Sequence, residues 1–228
     1  MKETMTNKIV LIIFLLIGIP AFAGMTKAGY AADDSANPSA TFLSPSEIAK
    51  NQATIGRLQE YLSGLTTIVS DFTQVAPDGT LTSGKFYLER PGKMRWQYNP
   101  PTPILMVSNG SELVYYDVEL EQVSHIPLDQ TLIGFMAQDK IRFDSKIGIE
   151  SLTVDAGTIR ITLAMRDKPD DGQLTLEFSD NPLLIRNMVI RDSTNQVTTV
   201  SLNNARFGVK LDKELFIFRD RQHGHKIH

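Results

Sequence analysis

The sequence predicts a mainly β protein, with an antiparallel sheet that short helices cover. The apolar period changes from helical to two at about Thr66, and strand-like segments follow almost to the C-terminus. Turn residues such as Pro77-Asp78-Gly79 and Asp171-Gly172 separate these segments, and no βαβ rhythm occurs. Two amphipathic helical segments, one before the strands and one among them, are the candidates for the cover.

The first helix is predicted over residues 45–63. Ser44, Pro45 and Glu47 provide the N-cap, N1 and N3 residues of a capping box. Apolar residues then recur at helical spacing, at Ile48, Ile55, Leu58, Leu62 and Leu65. The segment therefore has one apolar face to bury.

Strands are predicted from the period of two and from the turns. Before the second helix they cover 66–75, 84–90, 94–98, 104–108 and 112–117. After an interruption near 128–143 they cover 146–155, 158–166, 173–179, 184–192, 196–207 and a short segment at 215–218. A sheet of this many strands must close, split into two layers or be covered.

Side-chain alternation assigns the strand residues to faces of the sheet. It puts Phe86, Leu88 and Arg90 on one side of their strand, and Met94 and Trp96 on one side of the next. An arginine on an apolar face needs acceptors for its N–H groups, and carbonyls at helix ends are suitable. The alternative is that Arg90 ends its strand and extends to water at the rim.

The hairpin at Asn109-Gly110 is apolar on both faces. A two-residue type I′ turn there would pair Met106 with Leu113 and Ile104 with Tyr115. The opposite face carries further apolar residues, namely Leu105, Val107, Val114 and Tyr116. A sheet with one solvent-exposed face shows a more regular alternation of apolar and polar residues. This hairpin therefore predicts either apolar cover on both of its sides or a wide interior with many large side chains around its wall.

The interruption predicts a second helix over 130–138, capped by Asp129. Its apolar stripe consists of Leu128, Leu132, Ile133, Phe135 and Met136. The interior beneath the helices can be a dry core or a wide cavity, and the pattern by itself leaves both open.

Composition excludes several classes of protein. The chain of 228 residues is 42% hydrophobic, which is enough for a sizeable core, and its formal net charge of -3 argues against a nucleic-acid partner. The absence of cysteine excludes a disulfide scaffold, a thiol nucleophile and a cysteine-based metal site.

The N-terminus predicts export from the cytoplasm. Residues 1–31 combine Lys2 and Lys8 with an apolar run at 9–19 and small residues near two possible cut sites, after Ala23 or Ala31. These are the parts of a signal peptide, and the run is too short for a permanent membrane span. Residues 32–43 are polar and turn-rich, which predicts a flexible leader.

Catalytic and metal-binding motifs are missing. The sequence has no G-x-S-x-G or H-E-x-x-H, and His125 is the one histidine inside the predicted domain. His223, His225 and His228 belong to a polar tail, 221–228, where we expect no metal. We predict no enzyme activity, cofactor or metal, although abundant Asp and Glu leave a carboxylate-pair hydrolase open.

Three blocks of sequence resemble the periplasmic outer-membrane lipoprotein carrier family, LolA. They are Phe72-Thr73-Gln74, the segment R-P-G-K-M-R-W at 90–96, and Val107-Ser108-Asn109-Gly110. Their order and spacing match over about 45–140. The resemblance implies an unclosed antiparallel β half-barrel of about eleven strands, covered by short helices and extending over 44–220.

The resemblance also implies a binding site and a latch. The cavity for acyl chains would be lined by Phe72, Phe86, Leu88, Met94, Trp96, Met106, Leu113 and Tyr115. The lid helix would contribute Leu132, Ile133, Phe135 and Met136, and Arg90 would hold the empty protein shut by hydrogen bonds to the lid backbone.

The implied function is transport through the periplasm. A monomeric carrier would bind the acyl chains of outer-membrane lipoproteins, which an inner-membrane ABC transporter releases, and would deliver them to an outer-membrane receptor. The alternative is a periplasmic sensor or regulator that binds lipid or peptide on the same fold.

Overall fold

Eleven antiparallel strands form one sheet in the computed structural model, which describes residues 41–143 and 146–219. The first six are β1 Thr67–Val75, β2 Leu81–Glu89, β3 Lys93–Tyr98, β4 Ile104–Asn109, β5 Glu112–Asp117 and β6 Gln122–Pro127. The other five are β7 Ile147–Asp155, β8 Thr158–Met165, β9 Gly172–Ser179, β10 Leu184–Asp192 and β11 Val197–Phe207. The predicted signal peptide, most of the leader and the tail lie outside the described residues.

The sheet is a half-barrel that stays open. Its strand order is β6-β5-β4-β3-β2-β1-β11-β10-β9-β8-β7, so β6 and β7 are the two edges. The first and last strands meet in the middle, where Phe72 pairs with Leu202. This architecture confirms the predicted fold class.

Helical segments cover the inner face of the sheet. They are α1 Pro45–Lys50, α2 Gln52–Gly64 and the short α3 Leu132–Phe135. The capping box is present, since Glu47 N donates to Ser44 Oγ and Ser44 N donates to the Glu47 carboxylate. The predicted first helix is divided at Asn51, whose side chain donates to the Glu47 carbonyl and so competes with the helical pattern.

One hydrophobic core extends under these helices. Ile55, Leu58 and Leu62 of α2 pack in it with the inward residues of the strands, which confirms the predicted apolar face. The end of the predicted leader also contacts the sheet. Leu43 N donates to the Ile149 carbonyl on the edge strand β7 over 2.8 Å, and Phe42 packs against Gly148.

The β4–β5 hairpin differs from the prediction in its register. Ser108 pairs with Leu113 and Met106 pairs with Tyr115. A type I′ turn needs positive φ at both Asn109 and Gly110, and of these two Gly110 alone has it, at 128°. Because the register moves by two residues, each side chain keeps its predicted face.

Two further predictions of secondary structure are wrong. Strand β6 was not predicted, because an edge strand with a single buried residue, Ile126, has little alternation. Where a strand was predicted at 215–218, the structure has a 3-10 turn over Lys213–Phe216 instead. The turn is stabilised by its N-cap residue Asp212, whose carboxylate accepts a hydrogen bond from Glu214 N over 3.0 Å.

This C-terminal segment covers the outer face of the β4–β5 hairpin. Phe218 packs with Val107 and Val114 in a second apolar cluster, and its ring lies edge-on to Tyr116 at 5.4 Å. Arg95 Nη1 fixes the segment by donating to the Leu215 carbonyl over 3.0 Å. The expected apolar cover on both faces of the hairpin is confirmed.

Candidate ligand-binding interior and its lid

The residues predicted to line a cavity lie together on the inner face of β1 to β5. They are Phe72, Phe86, Leu88, Met94, Trp96, Met106, Leu113 and Tyr115, and all are buried in the main core. The alternation of side chains along a strand explains this grouping, because each residue occupies a strand position whose side chain points to the inner face. In this state the side chains pack against one another.

Aromatic contacts dominate the centre of this group. The Trp96 ring lies 5.1 Å from Phe72 and 4.2 Å from Phe86, measured between centroids. Gly84 makes the arrangement possible, since a Cβ there would come within 2.7 Å of the Phe72 ring and would overlap the Gln97 carbonyl. The Phe72 ring therefore lies directly on the backbone of β2.

Polar groups are also buried in the interior. Tyr98 Oη donates to Gln74 Oε1 over 2.7 Å, whereas Tyr115 Oη has no hydrogen-bond partner among residues 41–143 and 146–219. Burial raises the pKa of both tyrosines, and the Asp117 carboxylate raises that of Tyr115 further. Both hydroxyls thus remain neutral.

Gln74 was not among the predicted site residues. It is two residues from Phe72 on β1 and therefore on the same face of the sheet, so alternation would have been sufficient to include it.

The predicted lid helix lies over the interior. Ile133, Phe135 and Met136 are buried in the core, and Leu132 packs against it. The predicted cap is wrong. Asp129 belongs to a separate 3-10 turn, Leu128–Gln130, and Thr131 is the N-cap, because its Oγ1 accepts from Gly134 N over 3.0 Å. The α-helix is accordingly much shorter than predicted.

The lid consists of the helix Leu132–Phe135 and the segment after it, 136–141, and hydrogen bonds fasten that segment at two places. At the β2–β3 turn, Arg90 Nη1 donates to the Gln138 carbonyl over 2.6 Å and Gly92 N donates to the Ala137 carbonyl over 2.7 Å. At helix α2, Ile141 N donates to Ser63 Oγ over 3.1 Å. Burial lowers the pKa of Arg90 to about 10, although the negative charge of Asp139 raises it in part. The Arg90 side chain thus lies where a latch to the lid backbone would be.

A cleft of about 450 Å³ opens at the rim, and Pro91 and Gly92, which follow Arg90 in the chain, line part of it. It lies between the β2–β3 turn, the β4–β5 turn, the lid and the beginning of β7. Its wall has an apolar part, with Leu128, Phe135, Ile147 and Met165, and a polar part, with Asp129, Thr131, Gln138 and Lys146. The cleft is therefore suited to a ligand with an apolar and a polar end.

Gly134 of the lid helix lies close against the preceding 3-10 turn, Leu128–Gln130. A Cβ at this position would overlap the Leu128 carbonyl, so Gly134→Ala is expected to destabilise the closed lid by about 1–3 kcal/mol. Hydrogen exchange over residues 131–138 should become faster, and binding of a hydrophobic dye should rise.

Gly56→Ala is the matched control for this prediction. Gly56 is also in a helix, but a Cβ at this position would meet no other described part of the protein within 4 Å. Alanine there should therefore stabilise α2 slightly. If hydrogen exchange over residues 131–138 were equally fast in Gly134→Ala and in wild type, the close contact between Gly134 and the Leu128 carbonyl would be contradicted.

The structure gives no indication of a metal site or of a membrane helix within its described part. Across residues 41–143 and 146–219, no three His, Cys, Asp or Glu side chains are grouped to hold a metal ion. No helix in the same ranges has the length and apolar character needed to cross a membrane.

Fold and site together define a class of protein: an open half-barrel whose apolar interior is closed by a hydrogen-bonded helical lid. A family model described as "Outer membrane lipoprotein carrier protein LolA" matches residues 63–219. The "Outer-membrane lipoprotein carrier protein" of Methylococcus capsulatus is 31% identical over 170 residues, covering 71% of this chain and 81% of that protein. The protein of the same description from Azotobacter vinelandii is 33% identical over 183 residues, covering 76% and 84%. The chain belongs to the LolA family of outer-membrane lipoprotein carriers.

Proposed function

We propose that this protein carries outer-membrane lipoproteins through the periplasm by holding their acyl chains in its apolar interior. The observation that supports this most directly is the lid. Ile133, Phe135 and Met136 fill the interior, while few hydrogen bonds fasten the lid to its surroundings. When the lid opens, its apolar side chains leave the inner face of the sheet, and acyl chains can take their place.

The physical requirements of transport agree with such an exchange. Each buried CH₂ group contributes about 0.8 kcal/mol, so an acylated protein does not cross an aqueous compartment without cover. A carrier must nevertheless release its cargo. Since the closed empty state buries the same inner face, it competes with the ligand and lowers the apparent affinity.

The proposal includes the partners and the location that the family implies. An inner-membrane ABC transporter would supply the lipoprotein, an outer-membrane receptor would accept it, and the carrier would act as a monomer without catalysis. Residues 1–31 would direct export to the periplasm, and residues 44–220 would form the carrier domain.

A release assay tests this function. Mature protein, prepared from residue 24 and from residue 32 because two cut sites are possible, is incubated with proteoliposomes that contain the transporter and a labelled lipoprotein. We expect a soluble one-to-one complex that passes its cargo to receptor-containing membranes. No soluble complex, in conditions where an established carrier forms one, would exclude the carrier function. Binding without delivery would instead favour the sensor or regulator.

A further inference from the structure

The Arg90 guanidinium has hydrogen-bonding capacity that the closed protein does not use. Nη1 donates to the Gln138 carbonyl, but Nε and Nη2 are buried without an acceptor among residues 41–143 and 146–219. Buried charged donors without acceptors are costly, so a ligand that supplies an acceptor gains affinity from this site. The contact with the lid thus gives one of the three guanidinium nitrogens a hydrogen-bond partner and leaves Nε and Nη2 without one in the described part of the chain.

The position of Arg90 indicates which part of a ligand would meet these donors. On the interior side, Leu88 and Met94 are paired across β2 and β3 and are fully buried. On the other side, Pro91, Gly92 and Gln138 line the cleft at the rim. Arg90 therefore lies at the boundary between the apolar interior and the cleft.

An acyl chain is joined to its polar end by a carbonyl group. With the hydrocarbon in the interior and the polar end in the cleft, this ester or amide carbonyl would lie at the level of Arg90. A carbonyl oxygen accepts hydrogen bonds well, and bonds from a charged donor are stronger than those between neutral groups.

We propose that Arg90 recognises the ester or amide carbonyl of the acyl ligand, so that the protein selects acyl lipids over alkyl lipids of the same length. The inference rests on the proposed function, since it assumes that acyl chains enter the interior. It assigns Arg90 a second role, as a specificity residue in the open, loaded protein.

Matched lipids test the proposal. Dioctanoylglycerol and di-O-octylglycerol have the same glycerol and chain length, but the ether compound lacks the carbonyl groups. Dissociation constants for the mature protein are measured by displacement of a bound hydrophobic dye. We expect wild type to bind the ester about tenfold more tightly than the ether.

Two variants separate recognition from opening of the lid. In Arg90→Leu, both lipids should bind with equal affinity, because the donors are gone. In Gly134→Ala, the lid is destabilised while Arg90 is kept, so the preference for the ester should remain. The ratio of the two dissociation constants within each variant is insensitive to how far its lid is open.

The outcomes distinguish the inference from the proposed function. Equal affinity of wild type for ester and ether, together with successful lipoprotein release, would overturn carbonyl recognition alone. No binding of either lipid would also overturn carbonyl recognition, and it would overturn the proposed function only if lipoprotein release fails as well. If the ester preference is found, a diacylglyceryl-cysteine peptide and dioctanoyl phosphatidylglycerol show whether a lipoprotein or a phospholipid is the better source of the same ester, and preference for either supports the site.

Discussion

Replacement of Arg90 by leucine is expected to raise the population of protein with an open lid about tenfold. Leucine cannot donate to the Gln138 carbonyl, and hydrogen bonds from charged groups contribute about 1.5–3 kcal/mol. Part of this loss is offset, since the variant no longer buries a charge with two unpaired nitrogens. Faster hydrogen exchange over residues 131–138 and stronger binding of a hydrophobic dye would report the opening.

Arg95→Leu is the control for this prediction. Arg95 is also half-buried and also donates to a backbone carbonyl, that of Leu215, but it lies on the outer face of β3 and fixes the C-terminal segment. Its loss should leave exchange in the lid unchanged. If the two variants behave alike, Arg90 has no particular role in holding the lid.

Replacement of Trp96 by alanine is expected to lower the free energy of unfolding by about 3–5 kcal/mol. Trp96 is only 2% exposed and packs against both Phe72 and Phe86, so the change leaves a cavity at the centre of the interior. Urea unfolding followed by circular dichroism measures the effect, because Trp96 is the single tryptophan and its fluorescence is lost.

Leu81→Ala provides the comparison, since Leu81 is 68% exposed and its truncation should change stability by less than about 0.5 kcal/mol. A loss of less than about 1 kcal/mol in Trp96→Ala would contradict a tightly packed closed state. It would indicate an interior that tolerates empty volume even without ligand, and hence a preformed cavity.

Much of the fold could be predicted because its signals are local. Alternation and turns located ten of the strands to within a few residues, for example β5 and β10, whose predicted bounds agree with the structure. Two of the failures have a local competitor as their cause. Asn51 interrupts the first helix with a side-chain hydrogen bond, and Asp212 caps a 3-10 turn where a strand was predicted.

For the candidate site, side-chain alternation predicted where the residues lie in the sheet but not which groups they contact. Parity predicted Arg90 on the inner face with Leu88, and in the structure its guanidinium lies against the lid, where Nη1 donates to the Gln138 carbonyl. Its acceptor could not be found from the pattern, because Gln138 is 48 residues further along the chain and follows a helix whose end was misjudged. The unpaired nitrogens of Arg90 likewise become visible only once every neighbouring carbonyl has a position.

Local sequence patterns were sufficient to predict the β class, the residues that face the interior and the residues available for a lid. These properties follow from the conformational preferences of neighbouring residues and from the burial of apolar side chains at regular spacing. The tertiary structure decided the pairing of Phe72 with Leu202, the register of the β4–β5 hairpin and the contact between Arg90 and Gln138. Each of these joins segments whose local patterns permit several partners, and the choice is made by the packing of the whole core and the pairing of its buried polar groups.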